Sequence, residues 1–251
     1  MQDKLESSTN YNDRSDYAVA LAYTGRNKEA VQILQKLEQE QPGNYFIAAN
    51  LGTALELAGD NDAALNWIRE GIRRNPNSHH GTEWLHAKII EAKIAQQKDS
   101  AYFNTHTILD LDPERVSAGL TVEGKLLLPK QIGEAIQDQL QERLQFVKPP
   151  DPAVASLLFD YAAVEAATNT LESAKGLLKM AVEYGYPSAR VEQRTKVYDS
   201  IIAWRKTKHY ITYSIIAFCA VIVTFKVFGA LYKRRIFVLS SKDLPAVRHD
   251  L

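Results

Sequence analysis

The densest group of side chains that could do chemistry lies in one short stretch of the chain. It contains His79, His80, Glu83 and His86. Imidazole and carboxylate groups can bind a metal ion, and Glu83 and His86 are close enough in sequence to share one face of a helix. The stretch lacks the His-x-x-x-His spacing of helical zinc sites, and no distant carboxylate partner is evident. We therefore interpret it as the polar start of a helix, on a binding or solvated face, and predict no metal site and no cofactor.

Other catalytic and ligand-binding signatures are absent from the sequence. It has no glycine-rich phosphate loop, no Gly-x-Ser-x-Gly nucleophile motif and no dinucleotide fingerprint. The acidic pairs Asp60/Asp62 and Asp110/Asp112 lack the glycine and the distal glutamate of a calcium loop, so they are interpreted as helix caps and turns. The single cysteine, Cys219, excludes an internal disulfide and a cysteine-cluster metal site. The sequence predicts no catalytic residues and a protein that is not an enzyme.

The overall composition narrows the class of protein further. The 251 residues include 30 basic and 30 acidic side chains, so the formal net charge is zero. A general nucleic-acid binder would carry a basic excess, and we predict no nucleic-acid partner. Hydrophobic residues make up 45% of the chain and charged residues 24%, which is typical of a folded protein.

Matching residues recur 34 positions apart in the N-terminal third of the chain. They comprise a glycine, small and bulky apolar residues, and a closing proline: Gly25/Gly59, Ala30/Ala64, Val31/Leu65, Leu34/Ile68, Leu37/Gly71 and Pro42/Pro76. The glycine permits a turn between two helices, and the small residues let the helix axes approach closely. Because one such helix pair cannot bury its apolar face alone, the pattern predicts stacked helical hairpins.

Residues 51–76 closely resemble the tetratricopeptide repeat, and residues 16–42 resemble it more loosely. A further first helix is expected near Thr82, and a degenerate unit can be read over 155–188. The resemblance implies an all-α fold: a tetratricopeptide-like α-solenoid of helical hairpins. In this chain we expect a single C-terminal transmembrane helix to follow the solenoid.

The transmembrane prediction rests on the segment from Tyr210 to Tyr232, which is apolar and contains one charged residue, Lys226. A helix of this length reaches roughly 35 Å, enough for a hydrocarbon core of about 30 Å. Tyrosines lie near both ends, and basic residues such as Arg205 and Lys233 flank the segment, as interfacial anchors do. We predict a single-pass transmembrane helix over 209–232; the alternative is a buried core helix of a soluble protein.

The segments Gly81–Ile94 and Gln139–Pro152 are similar to bacterial repeat proteins anchored by a C-terminal membrane helix. This resemblance implies a bacterial inner-membrane location. Members of that group are exported and have a longer N-terminus, which would place the repeats outside the cytoplasm. Residues 1–16 here have no apolar signal region, which favours a cytoplasmic repeat domain. These two observations favour opposite sides of the membrane for the repeat domain, and we make no prediction between them.

The predicted organisation has seven parts. They are a polar N-terminal segment (1–15), repeats (16–98), an irregular insertion (99–129), a helix with a degenerate hairpin (130–188), a juxtamembrane helix (189–208), the transmembrane helix (209–232) and a short basic and polar tail (233–251). Within the insertion, a short β-hairpin is predicted around Glu123-Gly124. Apolar residues every four positions from Ile132 to Leu144 predict a helix near 130–146. A continuous helix is predicted from the repeat domain into the membrane segment.

The tetratricopeptide resemblance implies a concave groove lined by the first helix of each pair. Candidate groove residues for binding a partner are Tyr23, Phe46, Ala49, Thr53, Glu56, His80, Glu83 and Glu91. This lining is mixed and slightly acidic, which favours an apolar or basic partner segment. The positions that capture a peptide carboxylate in chaperone-binding relatives hold Ser15 and Val19 here, so that activity is not expected.

The predicted function is a membrane-anchored scaffold that binds an unidentified protein or peptide in this groove and the lipid bilayer through 209–232. One alternative is a structural subunit of a membrane complex that associates through its transmembrane helix, where Ser214, Ala217 and Ala220 permit close approach. A second alternative is an enzyme whose active site is covered by the 99–129 loop. No nucleophile–base pair or metal set can be named for it.

Overall fold

The computed structural model describes residues 10–242, and it describes side chains as far as residue 233. Residues 1–9 and 243–251, which belong to the predicted N-terminal segment and tail, lie outside the described residues. The chain divides into two compact units, Met1–Lys196 and Val197–Leu251. The first unit contains the repeats and the insertion.

The described part of the chain is almost entirely helical, as the all-α prediction requires. Its ten α-helices are α1 (Tyr11–Tyr23), α2 (Asn27–Glu40), α3 (Tyr45–Leu57), α4 (Asn61–Arg74), α5 (Glu83–Lys98), α6 (Tyr102–Thr105), α7 (Pro129–Phe146), α8 (Pro152–Thr168), α9 (Leu171–Glu183) and α10 (Ser188–Lys242). Two 3-10 helices cover Ser78–Gly81 and Val116–Ala118, and strands β1 (Leu120–Val122) and β2 (Lys125–Leu127) pair antiparallel.

The first four helices form two hairpins, α1–α2 and α3–α4. Gly25 and Gly59 stand at the two turns with φ angles of +79° and +89°, in the left-handed region that favours glycine. The Asp60 carboxylate then accepts a hydrogen bond from the Ala63 backbone N–H at 3.1 Å, which caps α4. The predicted turns at the glycines and the predicted cap at Asp60 are confirmed.

Small and bulky residues alternate in the core of these hairpins. Ala30, Ala64 and Ile68 are at most 1% exposed. A Cβ atom added at Gly52 on α3 would lie 2.6 Å from Cδ1 of Ile68 on α4. The absence of a side chain at Gly52 therefore lets the two helix axes come together, and the space is filled by Ile68. Burying a side chain of this size stabilises the fold by about 1.5–3 kcal/mol.

The insertion between α5 and α7 contains the predicted β-hairpin. Leu120 pairs with Leu127 and Val122 with Lys125, around the two-residue turn Glu123-Gly124. Both turn residues have positive φ angles, 49° and 80°. This geometry matches the right-handed twist of the strands and explains why glycine occupies the second position.

The insertion is packed onto α8 through a buried carboxylate. Asp160 Oδ1 accepts a hydrogen bond from the Thr107 hydroxyl at 2.6 Å, and its Oδ2 accepts one from the Leu109 backbone N–H at 2.9 Å. The backbone N–H of Ile108 donates to the Ser156 hydroxyl at 3.0 Å. Burial raises the pKa of Asp160 to about 7. These hydrogen bonds therefore attach residues 107–109 of the insertion to α8.

Helix α7 begins with Pro129 at its first turn, as predicted. Its N-terminal half lies along α8, where an added Cβ at Gly133 would be 3.3 Å from Val164. Helices α8 and α9 form the hairpin of the degenerate unit. Helix α10 then runs without a break from Ser188 to Lys242, which confirms the predicted continuous helix.

Candidate partner-binding groove

The first helices of the repeat pairs, α1, α3 and α5, lie around a cavity of about 230 Å³. The C-terminal half of α7 covers this cavity and supplies part of its lining. The cavity walls therefore combine the predicted groove with a helix that lies far away in the sequence. The α7 side chains in the lining are Gln139, Glu142, Arg143, Gln145 and Phe146.

Five of the eight predicted groove residues line this cavity together: Tyr23, Ala49, Thr53, Glu56 and Glu83. Of these, Tyr23 is half exposed, whereas Glu56 and Glu83 are buried. The predicted lining is slightly acidic, but the carboxylates of this buried pair are already in contact with basic groups of the chain. A partner-binding role for any of these residues stays a prediction.

The other three predicted residues lie elsewhere. Phe46 is 69% exposed and does not line the cavity, although it lies three residues before Ala49 on α3 and shares its helix face. The His80 side chain is largely exposed and stands 3.8 Å from the carboxylate of Asp138 on α7. Glu91 lines a second cavity, next to β1, and forms ion pairs there.

Glu56 is the centre of a buried ion cluster in the groove. Arg143 of α7 donates to both of its carboxylate oxygens, at 2.7 and 3.1 Å. His86 Nε2 lies 2.8 Å and Lys93 Nζ 2.9 Å from the same carboxylate. Burial alone would raise the pKa of Glu56, but Arg143, His86 and Lys93 hold it well below its usual range. Glu56 is therefore ionised and joins α3, α5 and α7.

Two further histidine contacts tie the start of α5 to its neighbours. His86 is buried, and its Nδ1 lies 3.6 Å from Glu83. Burial lowers the pKa of His86, but hydrogen bonding to Glu56 and Glu83 raises it overall. His79 Nδ1 lies 2.8 Å from Glu142 of α7, and this contact raises the pKa of His79 to about 8. Of the two predicted alternatives for Glu83 and His86, the solvated face is therefore wrong, and the binding face stays a prediction.

Two aromatic rings close the other end of the cavity. The rings of Tyr23 on α1 and Phe146 on α7 stack with centroids 4.1 Å apart. The Tyr23 hydroxyl also donates a hydrogen bond to Gln145 Oε1 at 2.7 Å. Although Tyr23 is a predicted groove residue, its partner in this structure is a segment of the same chain.

Sequence reasoning missed the contribution of α7 to the groove. The apolar spacing that predicted α7 also places Arg143 on the buried face, since it follows Leu140 by three positions and Ile136 by seven. A basic residue on an apolar helix face requires an acidic partner. The position of Arg143 on this face was therefore a sequence signal that α7 packs against a carboxylate. It does not identify Glu56 as the partner, because 87 positions separate the two residues.

The lining of the cavity includes carboxylates, an arginine and stacked aromatic rings. Within residues 10–233, no group of three or more His, Cys, Asp or Glu side chains is placed to hold a metal ion.

The family model of the tetratricopeptide repeat matches residues 21–86. The consecutive helical hairpins agree with this match, which supports a tetratricopeptide-repeat fold for this part of the chain. No relative among the curated proteins matches the chain. The family is generally a non-enzymatic scaffold for protein interactions.

One described helix is long and apolar enough to cross a membrane, judged by length and composition alone. It is α10, within Ser188–Lys233, and its most apolar window has a mean hydropathy of 2.2. None of that window is buried inside the structure. Large apolar side chains such as Phe218 and Phe225 are exposed along it.

Proposed function

We propose that the protein is a membrane-anchored scaffold that binds a segment of a protein partner at the concave face of α1, α3 and α5. The observation that carries the proposal is the convergence of Tyr23, Ala49 and Thr53 on one recessed face, formed by consecutive repeat hairpins. Phe46 extends this face as an exposed apolar side chain. The partner segment in this proposal has apolar and basic residues, and its basic residues replace groups of the chain that contact Glu56 and Glu83.

Site-specific photocrosslinking tests this binding face in the full-length protein in its native membranes. A photoreactive phenylalanine analogue replaces Phe46 in one variant and Leu126 in the control variant. Leu126 is also exposed, at 54%, but lies on the hairpin of the insertion. We expect one protein to crosslink at position 46 and not at position 126. Absence of an adduct at position 46, or the same adducts at both positions, would contradict the proposal.

A second experiment measures the affinity of the face for the crosslinked partner. A Phe46→Glu substitution should weaken binding by about tenfold or more, since it replaces an exposed apolar contact by a desolvated charge. Leu126→Glu is the matched control and should leave the affinity unchanged. Equal affinities of the two variants would place the partner on another surface.

The membrane anchor is the second element of the proposal. An exposed apolar window in α10 supports it, because such a surface is unfavourable in water. The test introduces arginines at Val221 and Ile222, where each charge costs about 2.5–3.5 kcal/mol of insertion free energy. We expect alkaline carbonate to extract this variant and to leave the wild type and an Ala203→Arg control in the membrane pellet. Extraction of the wild type would refute the anchor.

The alternative function is a structural subunit that associates through α10. It is favoured by the exposed Cys219 and by the neighbouring small residues Ser214, Ala217 and Ala220. Oxidative crosslinking in membranes separates the two functions. A dimeric or heteromeric band through Cys219 that persists in the Phe46→Glu variant would favour the structural subunit.

A further inference from the structure

The groove of this protein is already occupied by part of its own chain. The C-terminal half of α7 contacts the groove through Arg143 to Glu56, and through Gln145 and Phe146 to Tyr23. These contacts cover the face to which the proposed function assigns the partner. A partner can reach the covered part of that face only if this half of α7 moves away.

We propose that residues 138–146 of α7 are a displaceable occupant of the groove. The partner that replaces them is a helix carrying an arginine and an aromatic residue three positions apart, as Arg143 and Phe146 are. This inference rests on the proposed function and adds to it the chemistry of the partner and the closed state of the groove.

The first support is incomplete hydrogen bonding beneath α7. Among the described residues, six buried side-chain atoms lack a hydrogen bond, and two of them belong to α7 in this contact. They are Gln139 Nε2 and Arg143 Nε. A buried polar network that is only partly satisfied is less favourable than an apolar contact. Opening would let water form hydrogen bonds with these atoms. This gain reduces the free-energy difference between the closed and the open position of α7.

The second support is the difference between the two halves of α7. In the N-terminal half, Ile132 and Ile136 are fully buried, and Gly133 lies against Val164 of α8. In the C-terminal half Leu140 is also buried, but the contacts with the groove are ion pairs, hydrogen bonds and one ring stack. The helix ends at Phe146, and a linker with two prolines follows it. The polar half can therefore leave the groove while the apolar half stays on α8.

The third support is charge complementarity within the groove. When Arg143 leaves, Glu56 loses both of its guanidinium hydrogen bonds and keeps only His86 and Lys93. A guanidinium from a partner restores the paired hydrogen bonds, a geometry that a lysine cannot reproduce. Tyr23 offers a ring face for the aromatic residue of the same partner.

The test is a binding titration with a defined probe. The probe is a fluorescein-labelled synthetic peptide of residues 129–147, and the receptor is the full-length chain in lipid nanodiscs. The release variant carries Gln145→Ala and Phe146→Ala, which weaken the hold of α7 without leaving a buried charge unpaired. We expect the peptide to bind this variant at least about tenfold more tightly than the wild type.

One control variant and one substituted peptide test whether binding depends on the groove contacts of α7 and on the arginine and aromatic side chains of the peptide. Lys130→Ala with Glu134→Ala alters exposed positions of the N-terminal half, where the two side chains are 86% and 59% exposed, and should bind like the wild type. A peptide carrying Arg143→Ala and Phe146→Ala should not bind the release variant. Circular dichroism verifies the fold, and Arg143→Lys is the second release variant if the first is unfolded.

The outcomes separate this inference from the proposed function. Equal peptide affinity for wild type and both release variants, or equal binding of the substituted peptide, overturns the displaceable α7. If a partner crosslinked at position 46 is still found in that case, the proposed function stands. If neither the peptide nor any partner binds, both fail. Selective peptide binding to the release variants supports both.

Discussion

The contact between α3 and α4 and the contact between α7 and the groove hold helices together by different means. In the first, Gly52 and Ile68 bring apolar surfaces into close approach, and Ile68 is 1% exposed. In the second, Arg143 meets Glu56 in a buried ion pair beside a cavity of about 230 Å³.

Because of this difference, we expect the α3–α4 hairpin to stay folded as a unit, whereas α7 can leave the groove. Apolar burial is non-directional and contributes about 25 cal/mol per Å², so the α3–α4 contact is favourable at every point. A buried ion pair recovers its desolvation cost only when all its polar atoms are satisfied. The α7 contact does not meet that condition, and its net contribution to stability is therefore small. The four predictions below test this contrast, from the largest expected effect to the smallest.

The largest effect is expected in the apolar contact. An Ile68→Ala substitution should lower the free energy of unfolding by about 2–5 kcal/mol, since it removes a buried side chain and leaves a cavity against Gly52. Chemical denaturation of the full-length chain in detergent measures it. Leu126→Ala, at an exposed position, is the control and should stay within about 0.5 kcal/mol. A loss below 1 kcal/mol for Ile68→Ala would remove the contrast.

A smaller effect is expected in the ion cluster. Arg143→Ala should cost about 2 kcal/mol, because Lys93 and His86 still compensate Glu56 and because opening α7 hydrates the carboxylate. Replacing Glu56 by leucine as well should add to the loss, since His86 and Lys93 then lose their shared carboxylate. A double variant that is as stable as the wild type would show that Glu56 is not the centre of the cluster.

The stability of the contact between α7 and the groove should also depend on pH, through the protonation of His79. Its pKa is raised to about 8 by Glu142, with Glu83 and Asp138 adding to the effect. The contribution of the protonated form is thus complete below pH 6.5 and is lost as the pH rises through about 8. Nuclear magnetic resonance titration of the imidazole should give a midpoint near 8. The protection factors of the α7 amides, which correct for base-catalysed intrinsic exchange, should fall between pH 6.5 and 8.5, and His79→Gln should abolish that fall.

The smallest effect is expected for the hydroxyl of Tyr23. Tyr23→Phe keeps the ring stack on Phe146 and removes one hydrogen bond to Gln145 at a half-exposed position. It should cost about 0.5 kcal/mol of the unfolding free energy and raise the affinity for the α7 peptide only slightly. A loss of 2 kcal/mol or more would mean that this end of the groove is as tightly held as the α3–α4 contact.

The repeats could be predicted from sequence because their contacts are local. Gly59, Ala64 and Ile68 lie within one hairpin, and their spacing repeats that of Gly25, Ala30 and Leu34. The β-hairpin at Glu123-Gly124 was also predictable, since a two-residue turn with positive φ angles has its own sequence signal. Helix α7 was predicted from a local signal as well, the apolar residues at every fourth position from Ile132 to Leu144.

The position of α7 could not be predicted, because long-range contacts determine it. Tyr23 and Gln145 are 122 positions apart, and no local pattern relates them. Glu83 and His86 were misinterpreted for the same reason, since the groups that bury them come from α3 and α7. From the sequence around them alone, two polar residues at a helix start are expected to face water.

Hydrogen exchange on the unmodified full-length chain tests the central contrast most directly. We predict that backbone amides 139–146 of α7 exchange at least about tenfold faster than amides 156–164 of α8, through local opening and without unfolding of the repeats. Exchange of both segments at the same rate, at the level of global unfolding, would show that α7 is a fixed part of the core and would contradict the proposed displacement of residues 138–146.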